Sequence, residues 1–366
     1  MTTRRGSLFH AATMGAVLAA AVALPAPASA QDAIAEFYKG KTITVIIGLS
    51  AGGGYDIYAR LLARHMGNHI PGNPGFVPRN MTGAGGLVAT NHLYNVAPKD
   101  GTMIGAPQRG VPFEPLTGGA EAKAMFDPLK FNWIGSSNAE TSVAVAWHTT
   151  GINTYQDMFQ KEIVFAGTGA GTESVVLPYV LANVLGFKVK VIAGYPGGSE
   201  MDLAMERGEV GGRGTYSWSS FKARRMDWLR DKQVAILYQQ ALEKHPDLPN
   251  VPLALDLAKN DEDRQILELA MIPLIFGRPY AAPPGVPMDR VNALRKAFDD
   301  TMVDRAFLAD ADKGKLEIEP VSGVKMEELL KKAYSTPQKL IDRLTEVSKF
   351  QPGLKVLEAP TAKPAQ

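Results

Sequence analysis

The chain has 366 residues, with 39 Lys and Arg against 37 Asp and Glu, and it contains no cysteine. The missing thiols exclude disulfides, thiolate metal sites and cysteine nucleophiles. Near-neutral charge without a basic stripe argues against nucleic acid and anionic membrane surfaces as partners.

Residues 1–30 read as a signal peptide. Arg4 and Arg5 give a basic start, residues 11–24 are small and apolar, and Ala28-Ser29-Ala30 fits a cleavage site before Gln31. The apolar run is shorter than the roughly 20 residues a spanning helix needs. No cysteine stands near the cleavage site to carry a lipid. The arginine pair loosely resembles a twin-arginine signal, so the export route stays open. Cleavage removes two arginines and no acid, which leaves the mature chain near zero charge. The expected location is the periplasm, and the mature chain is long enough for two domains.

Four times the chain runs from an apolar strand through a glycine-rich turn into an amphipathic helix. The first copy is a strand over 42–49, the turn Ser50-Ala51-Gly52-Gly53-Gly54 and a helix over 55–66. A strand at 76–80 leads to Gly83-Ala84-Gly85-Gly86 and a helix towards Tyr94. The third is 162–166, Gly167-Thr168-Gly169-Ala170-Gly171 and a helix over 172–185. The fourth is 188–193, Tyr195-Pro196-Gly197-Gly198 and a helix to about Arg207. Alternating strands and helices imply an α/β fold with mainly parallel sheets. Ligands bind such sheets beyond the carboxyl ends of the strands, where glycine admits close approach and helix N-termini attract anions. Two turns lie in each of two regions, so they are expected to face one another across a cleft.

Other chemistries fit less well. Gly48-Leu49-Ser50-Ala51-Gly52 matches the nucleophile elbow of serine hydrolases, the alternative from another class. However, its strand is the first of the mature chain, and neither His148 nor His245 has a catalytic context. A nucleotide loop would need Lys-Ser/Thr where Tyr55-Asp56 stands, and the next strand ends in Arg79-Asn80 rather than an acid. His65 and His69 share a helix face, but Gly67 separates them and no third ligand is near, so no metal is expected. Asp299-Asp300 and Glu327-Glu328 read as solvated helix faces.

In order along the chain, several segments resemble the substrate-binding receptors of tripartite tricarboxylate transporters, the Bug family. Phe37 to Ile47 is similar to that family's first strand. Ala51-Gly52-Gly53-Gly54-Tyr55-Asp56 resembles its A-G-G-G-T-D loop, and Asn80-Met81-Thr82-Gly83-Ala84-Gly85-Gly86 its N-R-P-G-A-G-G loop. Ala97 to Thr102, Tyr195-Pro196-Gly197-Gly198, Leu248 to Pro252 and Ala282 to Pro287 continue the match. The resemblance implies a type II periplasmic binding protein: two α/β lobes around a ligand cleft, joined by two crossing strands. Lobe 1 would comprise 31–140 plus 241–366 and lobe 2 141–240, with crossings near 143–147 and 234–238. It further implies capture of a small carboxylate by lobe closure and delivery to integral membrane transporter subunits, without catalysis or cofactor. A membrane sensor kinase is a second possible recipient, and a monomer is expected.

The expected ligand contacts are Ser50, Ala51, Gly52, Gly53, Gly54, Tyr55 and Asp56, then Asn80, Thr82, Gly83, Ala84, Gly85 and Gly86. Thr168, Gly169, Gly171, Thr172, Tyr195 and Gly197 would face them. Tyr55 and Met81-Thr82 depart from the family pattern and reshape the first grip. Arg213, flanked by Gly211, Gly212 and Gly214, could reach a second carboxylate bidentately. Arg109, after the strand over 102–106, is also expected to border the cleft. Asp56 could instead favour the helix dipole, and Tyr216 and Trp218 could wall the site or fill the core. Dicarboxylates, tricarboxylates and aromatic acids all stay open as ligands.

Overall fold

The computed structural model describes residue 2 and residues 30–117 and 123–349. Apart from Thr2 and Ala30, the expected signal peptide lies outside the described residues, as do residues 350–366.

Two mixed sheets organise the chain. The first has six strands in the order β11-β4-β10-β3-β1-β2. These are β1 (Thr42–Ile47), β2 (Gly75–Asn80), β3 (Met103–Ala106), β4 (Asn132–Ser136), β10 (Pro279–Ala282) and β11 (Val321–Ser322). The second has five, ordered β7-β6-β8-β5-β9: β5 (Ser142–Trp147), β6 (Ile163–Ala166), β7 (Val189–Ile192), β8 (Gly212–Ser217) and β9 (Val234–Gln240). β1 pairs in parallel with β2 and β3, and β6 with β7 and β8. Parallel neighbours need crossover connections, which the helices Gly54–His65, Leu87–Asn95, Glu173–Leu185 and Gly198–Glu206 supply. The chain passes to the second sheet between Ser136 and Ser142 and leaves it after Gln240, through the adjacent antiparallel strands β5 and β9.

The β-branched run Thr42-Ile43-Thr44-Val45-Ile46-Ile47 suits a central strand covered on both faces, and its last three residues are all buried. Its core includes Tyr38, Leu62, Tyr280 and Phe298. The second sheet packs Phe165 and Tyr238 against the nearly all-apolar helix Glu173–Leu185, which contributes Leu181 to the shared core. That core also takes Leu267 and Met271 from the helix Asp261–Ile275, and Leu344 and Val347 from the helix Gln338–Ser348. These two helices, counted with lobe 1 in the sequence expectation, therefore share a core with the second sheet.

Gly212 and Gly214 serve this packing rather than a close approach to a ligand. A Cβ on Gly212 would lie 2.1 Å from the Val145 carbonyl oxygen of the next strand, and one on Gly214 would lie 2.6 Å from Pro178 Cγ. Pro178 stands inside the helix Glu173–Leu185, and the bare glycine makes room for its ring.

Candidate functional site

The first glycine turn is braced from behind by a carboxylate. Asp56, in the first turn of its helix and 3% exposed, accepts hydrogen bonds from Gly52 N–H at 2.9 Å, Arg60 Nε at 2.8 Å and Asn80 Nδ2 at 3.0 Å. Asn80 Nδ2 also donates to the Leu49 carbonyl at 2.8 Å. Asp56 and Asn80 thus tie the end of β1 to the end of β2, with their polar groups spent on the scaffold. Burial alone would raise the Asp56 pKa, but the bonds from Arg60, Gly52 and Asn80 hold it below the ordinary carboxylate value. A carboxyl lowered on folding contributes stability above its unfolded pKa of about 3.9 and loses it as pH falls through the folded value. Wild type should therefore melt above Asp56→Asn at pH 7, and the gap should close below pH 4. A gap that stays constant from pH 7 to pH 2.5 would refute that role.

The four turns meet in two pairs. Ser50 N–H donates to the Pro196 carbonyl at 3.1 Å, and Ser50 Oγ donates to Glu200 Oε2 at 2.7 Å. A Cβ on Gly53 would stand 3.4 Å from Gly198 N, and one on Gly197 would meet Ser50 Oγ at 2.2 Å. In the other pair, a Cβ on Gly85 would lie 2.1 Å from Thr172 Cγ2, and one on Gly169 would lie 2.7 Å from the carbonyl carbon of Ala84. Gly83, Gly85 and Gly86 all have positive φ, at 142°, 66° and 98°, and Ala84 itself sits at 46°. Thr168, Thr172 and Ser174 knot the third turn through hydroxyl contacts of 2.9–3.1 Å.

Between the turns lies a cavity of about 50 Å3. Of the expected residues, Gly53, Gly54, Tyr55, Arg109, Thr168 and Arg213 line it. Ala51, Gly52, Thr82 and Ala84 are at the surface or on the rim, while Asn80, Asp56, Gly83, Gly85, Gly86, Gly169, Gly171, Thr172, Tyr195 and Gly197 shape the turns without lining the cavity. Trp218 belongs to the core, stacked on Phe221.

Arginines dominate the walls. Arg109, on the loop after β3, reaches across to Glu173 Oε1 at 2.8 Å, Ser142 Oγ at 2.8 Å and Ser217 Oγ at 3.1 Å, and its backbone N–H donates to Tyr55 Oη at 3.0 Å. Burial of the Tyr55 phenol raises its pKa above the usual value. Arg213 finds its carboxylate within the protein: Nη1 bonds Asp202 Oδ1 at 2.8 Å, with the guanidinium stacked 3.6 Å over the Tyr216 ring. Arg278, which sequence reasoning missed, is 2% exposed, pairs with Glu140 at 3.0 Å and lies 4.8 Å from the centre of the Tyr55 ring. A lone arginine in the apolar run from Leu274 to Ala282 was the available signal. Glu140, Glu173, Asp202 and Arg224 were missed as well, because their ion-pair partners stand on other elements of the fold.

The hydrogen-bond partner of Ser50 Oγ is the carboxylate of Glu200, not an imidazole, and nothing here supports the serine-hydrolase alternative. His65 and His69 face separate partners, Asp310 at 3.1 Å and Asp304 at 3.7 Å.

No family model matches the sequence, and no curated protein matches it. Solved structures do resemble it. The periplasmic binding protein BugD shares 18% identity at a TM-score of 0.67, over 85% of this chain and 98% of its own. MatC from Rhodopseudomonas palustris, solved with bound malate, shares 18% at 0.63 over 84% and 99%. A further R. palustris protein, solved with adipate, shares 15% at 0.64 over 84% and 97%. Two α/β lobes with paired turns at their junction, matched nearly end to end by these structures, give the chain the fold of a type II periplasmic binding protein.

Proposed function

We propose that the protein is a periplasmic solute receptor of the Bug, or TctC, type that captures a small organic carboxylate. The observation that carries this reading is the meeting of glycine turns from both sheets around an arginine-lined cavity. The malate and adipate in the neighbouring structures support the ligand class. Residues 31–140, with most of the chain after 240, would form one lobe and 141–240 the other. Closure would bring Ser50 against Pro196 and Gly85 against Thr172, and such closure is driven only by the ligand's extra affinity for the closed form. The receptor would then hand its ligand, chemically unchanged, to the membrane subunits of a tripartite tricarboxylate-type transporter, working as a monomer without a cofactor.

A thermal-shift screen of residues 31–366 against mono-, di-, tri- and aromatic carboxylates tests this. A ligand at about 100 times its dissociation constant stabilises by roughly 2.7 kcal/mol. No stabilisation by any carboxylate, with none co-purified, would reject the assignment. Gly53→Val should abolish the shift while leaving the unliganded melt close to wild type. Gly53 has an ordinary φ of −79°, so valine strains no backbone there, but its methyls would collide with Gly198 on closure. Wild-type affinity in this variant would rule out closure by that contact.

A further inference from the structure

Four guanidinium groups line the cavity, those of Arg109, Arg213, Arg224 and Arg278, and they meet three buried carboxylates. Arg109 pairs with Glu173 and Arg278 with Glu140, whereas Arg213 and Arg224 share Asp202. Arg225 also touches Asp202, but it is 25% exposed and lies within reach of Glu206 as well. Glu200 is engaged by Ser50 and does not line the cavity. Four guanidinium groups thus share three carboxylates, and the shortfall lies at the Arg213–Arg224 pair, which has only Asp202 in common.

The backbone favours an anion at the same place. Gly198 opens the nine-residue helix Gly198–Glu206, and a Cβ on it would lie 3.3 Å from Arg224 Nη1 and 3.7 Å from Arg213 Nη1. Unpaired N–H groups and the positive end of the helix dipole converge there. Side-chain donors are left over too. Arg213 is 7% exposed and Thr215, on the same strand, 5%, yet Arg213 Nε and Thr215 Oγ1 have no hydrogen-bond partner among the described residues. Buried donors are costly to leave unpaired.

We propose that Arg213, Arg224 and the first turn of the helix Gly198–Glu206 hold one carboxylate group of the ligand directly, and that the cavity is built for a monoanion. This rests on the carboxylate-receptor reading and narrows it. The uncharged body of the ligand lies against Tyr55, Met201 and Tyr216, which line the same cavity. A second carboxylate would find the Arg109 and Arg278 charges already neutralised by Glu173 and Glu140.

The test is calorimetric titration of residues 31–366 with butyrate, benzoate, succinate and citrate, repeated for Arg224→Gln and Arg224→Lys. Asp202 keeps Arg213, Arg225 and Tyr216 in both variants, and an unchanged melt verifies folding. A monocarboxylate is expected to bind at least tenfold tighter than succinate. Arg224→Gln should weaken it about tenfold or more, the worth of one charge-assisted hydrogen bond, and Arg224→Lys should recover most of that loss. Succinate or citrate binding tenfold tighter than butyrate overturns the monoanion assignment, and unchanged affinity in folded Arg224→Gln overturns the arginine site. If none of the four probes binds wild type, the monoanion assignment is overturned; the carboxylate-receptor reading falls only if the thermal-shift panel is blank as well.

Discussion

Asp202→Ala is expected to lower the unfolding free energy by about 3–5 kcal/mol, the usual cost of removing one partner from a buried charge cluster. The Asp202 side chain is fully buried and serves four donors: Arg213 Nη1 at 2.8 Å, Tyr216 Oη at 2.9 Å, Arg224 Nη2 at 3.0 Å and Arg225 Nε at 3.1 Å. Without it, three guanidinium groups face one another with no charge between them. Urea unfolding gives the number directly. Asp202→Asn fits the same space but cannot neutralise them, so it should fall between wild type and alanine. A loss under 1 kcal/mol for Asp202→Ala would mean the cluster relaxes into water, contrary to the burial seen here.

Arg109→Ala should cost a similar amount, about 3–5 kcal/mol, for a different reason. Arg109 is the side chain that spans from the first sheet's loop to Glu173, Ser142 and Ser217 of the second lobe. Its loss strands the Glu173 carboxylate, 6% exposed, beside the cavity. The double variant Arg109→Ala/Glu173→Gln should then recover part of the loss, with a coupling energy above 1 kcal/mol, because the two side chains are in direct contact. Additive effects would show that the pair contributes little as a pair.

The architecture was legible because its signals are local. The period of strand, glycine turn and helix around Ser50, Gly83, Gly169 and Gly197 needs only neighbouring residues to be seen, and the four turns do come together. The cavity wall was less legible. Arg213 is expected to meet a ligand carboxylate, and its Nη1 also bonds Asp202, an acid on the preceding helix that the sequence does not single out. Arg278 and Glu140 pair only because β10 lies beside β4 in the sheet order, and no periodicity reports that adjacency. Asp56 and Asn80 stand among the expected ligand contacts, with a structural role equally open for Asp56, and their hydrogen bonds go to Gly52, Leu49 and Arg60. A polar residue inside a glycine loop has two possible audiences, and sequence alone does not say which one it faces.

The glycine-on-glycine contacts have a consequence for selectivity. Where main chain meets main chain, as Gly53 meets Gly198 and Gly169 meets Ala84, no rotamer can swing aside to absorb a misfit. In the proposed receptor the jaws would have a mechanical end stop. A molecule slightly too large for the chamber would not be accommodated with a small penalty; it would prop the jaws ajar and forfeit the Ser50–Pro196 hydrogen bond and the Arg109 bridge together. Discrimination by size should therefore be nearly all-or-none, with affinity falling off a ledge rather than down a slope as carbon atoms are added to the ligand.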